Sequence, residues 1–183
     1  INLKPSPSGL KPPQVLAYEF DGLIDRADAR AGVNVRFEAY FDWDPADEVV
    51  VSWDGIVLAR EGVEGFPKVV PVPWSTLIQK GYLQTHLPVQ YFIYRAGVPT
   101  AIPSPVRHVD ADFRVFGVDH DQAPDELNRH LERVEIRGAV SDTANHLDFS
   151  DSDQPVTATV ALPDGPSVGK WLDLYWGDKE EPV

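Results

Sequence analysis

The chain has 183 residues, of which 43% are hydrophobic, so it is long enough to bury one large core or two smaller ones. Sixteen basic residues against 29 acidic ones give a net charge of −13, and such a surface is repelled by phosphate backbones, which disfavours nucleic-acid binding. The absence of cysteine excludes thiol catalysis, disulfides and cysteine-ligated zinc. No apolar run approaches the roughly 20 residues of a membrane-spanning helix, so we expect no membrane span in this segment.

The residue pattern along the chain is mainly that of β-strands. Val33–Phe41 alternates apolar and polar residues, with Val33, Val35, Phe37, Ala39 and Phe41 on one face, which is typical of a half-buried strand. Further strands are predicted at Glu48–Trp53, Phe66–Pro73, Val89–Gly97 and Ala101–Val115. Pro73–Gly81 is predicted to form one short helix, since it begins with proline and ends with glycine. Many short strands joined by turns predict an all-β sandwich.

Three segments of the first part of the chain recur in the same order in the second part. The pairs are Val15–Asp25 with Leu131–Ser141, Val33–Phe41 with Val156–Leu162, and Val49–Gly55 with Leu172–Asp178. In the first pair Gly22 aligns with Gly138, and in the third Trp53 aligns with Trp176. A repeat of about a hundred residues is typical of an array of sandwich domains. We therefore predict one unit over residues 1–112 and a second over residues 113–183.

The order of these elements resembles a known family. The chain contains a strand that ends in Trp and a Gly/Asp pair, then Val-Pro, a short helical turn and the apolar-x-Tyr-apolar-apolar-x-Arg-x-Gly motif of Val89–Gly97. This order is similar to that of the immunoglobulin-like repeats of large bacterial surface and secreted proteins, many of them adhesins. Asn145–Leu147 and Val168–Gly177 are closer still to the repeat pattern. The resemblance implies tandem sandwiches, adjacent repeats of the same polypeptide as partners, and an extracellular or bacterial cell-surface location within a larger protein. It implies no catalytic residues.

Immunoglobulin-like sandwiches commonly bury a Trp on a central strand, and Trp53 and Trp176 take that position in the two copies. That Trp usually packs on a disulfide, so without cysteine we expect aliphatic side chains to fill the space. The predicted core residues are Trp53, Trp176, Val35, Phe37, Val51, Tyr91 and Leu174.

No arrangement of catalytic side chains is visible in the sequence. The five histidines stand alone, and neither a nucleophile elbow nor a phosphate-binding glycine loop occurs, so we expect no enzymatic activity. The acidic stretch His108–Glu126 offers oxygen ligands that Ca²⁺ prefers, and a Ca²⁺ site at the junction of the units would use Asp110, Asp112, Asp119 and Asp121. The alternative, which the loose spacing favours, is a solvated linker.

Three functions are compatible with these features. The first is a structural or adhesive spacer that holds a binding tip away from a cell surface. The second is a carbohydrate- or protein-binding module that uses exposed aromatic residues, with Trp74, Tyr82 and Tyr94 as candidates. The third is an accessory β-domain of an enzyme. A row of coplanar, exposed rings would favour the second function, whereas buried aromatic residues would favour the first.

The second copy contains no counterpart of the strands that follow Trp53 in the first copy. An uncovered Trp176 strand would present unpaired backbone groups, which are a template for another chain. We therefore expect the 183 residues to be a piece of a longer array. The second unit is expected to be partly disordered or completed by self-association through its edge.

Overall fold

A computed structural model describes residues 9–115, 117–125, 131–162 and 173–177. The chain divides into two compact units, residues 1–114 and residues 115–183, where the sequence predicted a boundary after residue 112. The structure is mostly β-sheet, with 34% strand and 12% helix, which agrees with the predicted all-β class. Within the described ranges, no helix has the length and apolar character needed to cross a membrane.

Over residues 9–114, which the structure describes, unit 1 contains ten strands in two sheets. In chain order they are β1 (Gln14–Val15), β2 (Ile24–Asp25), β3 (Asn34–Phe37), β4 (Glu48–Trp53), β5 (Ile56–Val57), β6 (Glu61–Gly62), β7 (Lys68–Pro71), β8 (Leu83–Tyr94), β9 (Ile102–Pro103) and β10 (Arg107–Asp112). The smaller sheet has the order β1-β3-β7, and the larger one has the order β2-β10-β8-β4-β5, with β6 paired to β4 and β9 to β8. All pairs are antiparallel except β2 with β10, which is parallel.

Side chains from both sheets of unit 1 meet in one core. On β8 the alternate residues Val89, Tyr91 and Ile93 are buried, as the period of two in the sequence predicts. The ring of Tyr91 stacks on that of Phe37 from β3, with centroids 4.3 Å apart and planes 16° from parallel. An aromatic pair therefore joins the two sheets. The predicted core residues of this unit are all buried, namely Trp53, Val35, Phe37, Val51 and Tyr91.

Three short helices interrupt the strands in the described part of unit 1, where the sequence predicted one. The predicted helix is present as α3 (Trp74–Leu77), whereas α1 (Leu16–Asp21) and α2 (Arg26–Ala31) lie where the sequence predicted no helix. α1 ends at Gly22, whose φ of 83° is a left-handed conformation that glycine adopts readily. α2 begins with a reciprocal capping box between Asp25 and Asp28. The Asp-x-x-Asp spacing is the sequence signal for the start of this helix.

The predicted strand Val33–Phe41 is shorter in the structure and changes phase at its end. β3 stops at Phe37, and beyond it Tyr40 is buried while Phe41 is 76% exposed, the reverse of the prediction. The Tyr40 hydroxyl donates a hydrogen bond to Asp47 at 2.8 Å, which fixes the ring inward. Once the backbone leaves the extended conformation, alternation no longer decides which side chain faces the core.

Unit 2 contains a two-stranded antiparallel sheet of β11 (Glu135–Gly138) and β12 (Val156–Thr159), with a 3₁₀ turn at Phe149–Asp151. No apolar side chain is buried among the residues that the structure describes in this unit. Trp176 is 43% exposed and Leu174 is half-buried, so their predicted core role is not observed. Residues 173–177 have no strand partner within the described ranges, and the rest of Val168–Gly177 lies outside them.

A buried carboxylate organises the turn of unit 2. The side chain of Asp151 accepts hydrogen bonds from the backbone N–H groups of Val140, Ser141 and Asp148 at 3.0 to 3.1 Å. Hydrogen bonding from Ser141 lowers the pKa of Asp151 well below its ordinary value of 3.8, and the backbone of Asp148 and Val140 adds to the effect. Gly138 lies against this carboxylate, and a Cβ atom there would approach it to 2.1 Å. Gly138 and Gly22 align in the sequence, but glycine is required at Gly138 by the close carboxylate and at Gly22 by the left-handed backbone conformation.

Candidate binding surfaces

Two of the three aromatic residues proposed to bind ligand, Trp74 and Tyr82, form a cluster beside α3. The ring of Trp74 meets those of Tyr82 and Phe113 edge to face, with centroids 6.2 and 5.4 Å apart and planes at 65° and 79°. The Arg26 guanidinium lies 5.4 Å from the centre of the Trp74 ring. Both Trp74 and Tyr82 are half-buried and pack against the core of unit 1. The cluster therefore offers no row of coplanar rings on which a sugar could stack.

Tyr94 lies at the other end of β8 from Tyr82. Twelve positions separate the two residues along the chain, which at a rise of about 3.3 Å per residue corresponds to a separation of up to about 40 Å. The three predicted aromatic residues are thus divided between two places on unit 1. The sequence could not reveal this separation, because it depends on the uninterrupted length of β8.

A polar pocket of about 400 Å³ lies beside Tyr94. The Arg60 guanidinium stacks over the Tyr94 ring, 3.8 Å from its centre, and its Nη1 donates to Glu48 at 3.1 Å. The loop Arg95–Pro99 supplies the remaining wall. A half-exposed cation and a half-exposed anion thus stand next to a partly covered aromatic face, an arrangement suited to a small polar ligand with both hydrogen-bond donors and acceptors.

Behind the pocket, the buried side chain of Arg95 is held by carboxylates. Its Nη1 lies 3.1 Å from Asp42, and its Nε lies 4.0 Å from Asp47, which is also buried. Asp47 accepts hydrogen bonds from the Tyr40 hydroxyl and from the backbone N–H of Asp44. Burial, followed by the hydrogen bond to Asp47, raises the pKa of Tyr40 far above its usual range, so the hydroxyl stays a donor. Arg95 Nε itself is buried without a hydrogen-bond partner, and its contact with Asp47 is an ion pair only. The cluster is suited to positioning the loop that begins at Arg95.

The four aspartates proposed as Ca²⁺ ligands are divided between the units. Asp110 and Asp112 lie on β10 of unit 1, whereas Asp119 and Asp121 belong to unit 2. Asp110 accepts a hydrogen bond from the His86 backbone at 2.6 Å, and Asp112 binds Arg114 through two hydrogen bonds of 2.9 Å. In the described parts of the chain, no three His, Cys, Asp or Glu side chains are grouped to hold a metal ion. The Ca²⁺ site stays a prediction.

Two histidines that stand alone in the sequence meet in the structure. His86 on β8 and His108 on β10 stack with ring centroids 3.8 Å apart and planes within 6° of parallel, and both are exposed. A register shift between Val109 and Ala111 leaves His86 in a left-handed conformation with φ of 55°. Their contact depends on the pairing of two strands and on an irregularity within it, so spacing along the chain gives no sign of it.

Unit 2 contains an apolar groove. Val156 and Ala158 of β12, together with Leu174 and Trp176, line a cavity of about 420 Å³. None of these side chains is charged, and β12 as a whole, with the sequence Val-Thr-Ala-Thr, carries no charge in a strongly acidic chain. The groove is therefore suited to an apolar partner.

Comparisons of the chain with protein-family models, with curated proteins and with solved structures found no match.

Proposed function

We propose that the chain is a non-catalytic spacer module, made of tandem immunoglobulin-like units, of a large bacterial surface or secreted protein. In that setting its neighbours are further repeats of the same polypeptide, and it transmits tension between an anchor and a distal binding domain. The module would also be adhesive if a surface of unit 1 binds a ligand.

The arrangement of strands in unit 1 supports the immunoglobulin-like assignment. In that fold the third, sixth and seventh main strands form one sheet, and a buried Trp lies on the third. The adjacent strands β4, β8 and β10 correspond to these, and Trp53 is fully buried on β4. The stacked pair of Phe37 and Tyr91 joins the two strands that a disulfide links in antibody domains.

The observation that carries the spacer function is the way the two ends of unit 1 are joined. β2, near the start of the unit, runs parallel to β10 at its end, with Ile24 opposite Ala111. Two side-chain links reinforce this pairing: Arg107 forms an ion pair with Glu19 at 2.7 Å, and Arg26 donates to the Phe113 carbonyl at 3.3 Å. When two parallel paired strands are pulled from opposite ends, the force acts along the strands. All hydrogen bonds between them then resist it together, and they are not broken one by one.

Single-molecule pulling on the full chain tests this function, because forced unfolding reports the unfolding barrier. Ile24→Pro removes a backbone N–H on the loaded edge and is expected to lower the unfolding force of unit 1 strongly. Ile24→Ala keeps that N–H and separates lost packing from lost pairing. Ile56→Pro on β5, at the opposite edge of the sheet, is the matched control and should leave the force nearly unchanged. Equal losses at Ile24 and Ile56 would contradict a load-bearing role for the β2–β10 pair.

The pocket beside Tyr94 favours a second candidate, a binding module for a small polar ligand. A glycan array probed with the labelled chain distinguishes the two functions. The spacer predicts no saturable binding, whereas a binding module predicts a signal that Tyr94→Ala abolishes and that Tyr82→Ala, at the other end of β8, preserves.

A further inference from the structure

The groove of unit 2 is lined by the counterparts of core residues of unit 1. Its four residues each lie 123 positions after a residue of the first copy (176 − 53 = 123), so that Val156, Ala158, Leu174 and Trp176 correspond to Val33, Val35, Val51 and Trp53. All four residues of the first copy are buried to within 1% of complete burial. One constant offset relates the wall of an open groove to the centre of a closed core.

Unit 1 also indicates which strand completes such a surface. β8 pairs with β4 along its length, and Val89, Tyr91 and Ile93 lie opposite Trp53, Val51 and Val49. These three residues alternate along β8 and are buried in the core. In unit 2, by contrast, residues 173–177 form no ladder with any described residue, and β12 is paired on one side, to β11. Among the described residues of unit 2, no segment with the chemistry of β8 lies on this surface.

We infer that the groove of unit 2 is an acceptor site for an extended strand with bulky apolar side chains at every second position. This inference rests on the tandem organisation of the proposed function. Backbone pairing would give the strand its affinity, and the groove would select its alternate side chains. A folded second copy cannot supply β8 itself, because the inward side chains of that strand are buried in its own unit 1. The occupant is therefore an unpaired segment of β8-like sequence.

The chain provides a probe of this chemistry, the peptide Leu87–Arg95 (LPVQYFIYR). Calorimetry with the full 183-residue chain is expected to detect saturable binding of this peptide, and a peptide carrying Tyr91→Asp is expected not to bind. In the chain, Ala158→Asp places a charge in the groove and should weaken binding by about tenfold or more, because a desolvated charge without a partner is costly. Thr157→Asp places the same charge on the next residue of β12, which does not line the groove, and should leave the affinity within about twofold.

Three outcomes would overturn the acceptor site: no binding of the peptide, equal binding of the Tyr91→Asp peptide, or equal losses in the Ala158→Asp and Thr157→Asp chains. A dimer of the chain that Ala158→Asp dissociates and the peptide does not displace would assign the groove to a second copy instead. Circular dichroism of each variant verifies that unit 1 is intact. The pulling experiment on Ile24 concerns unit 1 alone, so a failure of the acceptor site is distinguishable from a failure of the spacer function.

Discussion

The Asp151 carboxylate connects three backbone N–H groups of unit 2, and its pKa lies below the ordinary value of 3.8. A depressed folded-state pKa means that the carboxylate stabilises the unit fully above that value and progressively less as the pH falls toward the folded-state pKa. Asp151→Asn should therefore weaken unit 2 at neutral pH and flatten its response to acid. Hydrogen exchange of the turn near residues 138–141, measured from pH 3 to 7, checks this, and an unchanged acid response would contradict it.

Gly138 and Gly22 align in the sequence but differ in what limits them. A Cβ atom at Gly138 would collide with the Asp151 carboxylate, whereas a Cβ at Gly22 meets no atom within 4 Å and is disfavoured by its φ of 83° alone. Gly138→Ala should disrupt the turn of unit 2, and Gly22→Ala should cost unit 1 roughly 1 kcal/mol. Thermal unfolding and backbone NMR shifts of the two variants distinguish these effects. A Gly138→Ala variant with unaltered shifts in unit 2 would refute the close approach.

Arg95 is the buried cation beside Asp47, and removing it leaves that carboxylate buried without its counter-charge. Arg95→Met is expected to destabilise unit 1 by about 3–5 kcal/mol. Adding Asp47→Asn to the Arg95→Met chain removes the unpaired charge and should recover part of the loss. Chemical denaturation measures both variants, and a double variant no more stable than Arg95→Met would show that the pair is not coupled.

At the scale of elements, β8 is the strand on which unit 1 depends most, since it pairs with β4, β9 and β10 and carries the stacked ring of Tyr91. The Tyr91 hydroxyl donates to the Lys11 carbonyl at 3.0 Å, and burial raises the pKa of Tyr91 to about 12. Tyr91→Phe should therefore cost about 1 kcal/mol, whereas Tyr91→Ala should cost about 3–5 kcal/mol because it also empties the centre of the core. Denaturant titration that gave equal losses would contradict the importance of the stack.

The sequence predicted elements best where packing follows the strand period. β4 has the predicted bounds Glu48–Trp53, and the predicted face of Val89, Tyr91 and Ile93 is buried on β8. β8 begins at Leu83, six residues before the predicted strand. The prediction failed where local chemistry overrides that period, at α1, α2 and the end of β3. The candidate sites were harder to predict from the sequence. The stack of Arg60 on Tyr94 and that of His86 on His108 depend on which strands become neighbours, and spacing along the chain does not show this.

At the scale of the whole molecule, the two units differ in how far each has a core. Every buried apolar side chain among the described residues lies in unit 1, whereas the sequence also predicted core positions at Leu174 and Trp176 of unit 2. The reason for the difference is that a Trp strand becomes buried through the strands that cover it, and unit 2 has no described counterpart of β8. Trp176 is thus exposed although it aligns with the buried Trp53, because no described strand packs beside it.

Hydrogen–deuterium exchange of the full chain tests this account most directly, because it reports the local opening of each strand. We expect β4 and β8 to exchange through global unfolding of unit 1, and β12 to exchange orders of magnitude faster, with protection gained when the Leu87–Arg95 peptide is present. If β12 is instead as protected as β4 in the chain alone, unit 2 already has a closed core. The open groove and the acceptor strand would then both be wrong.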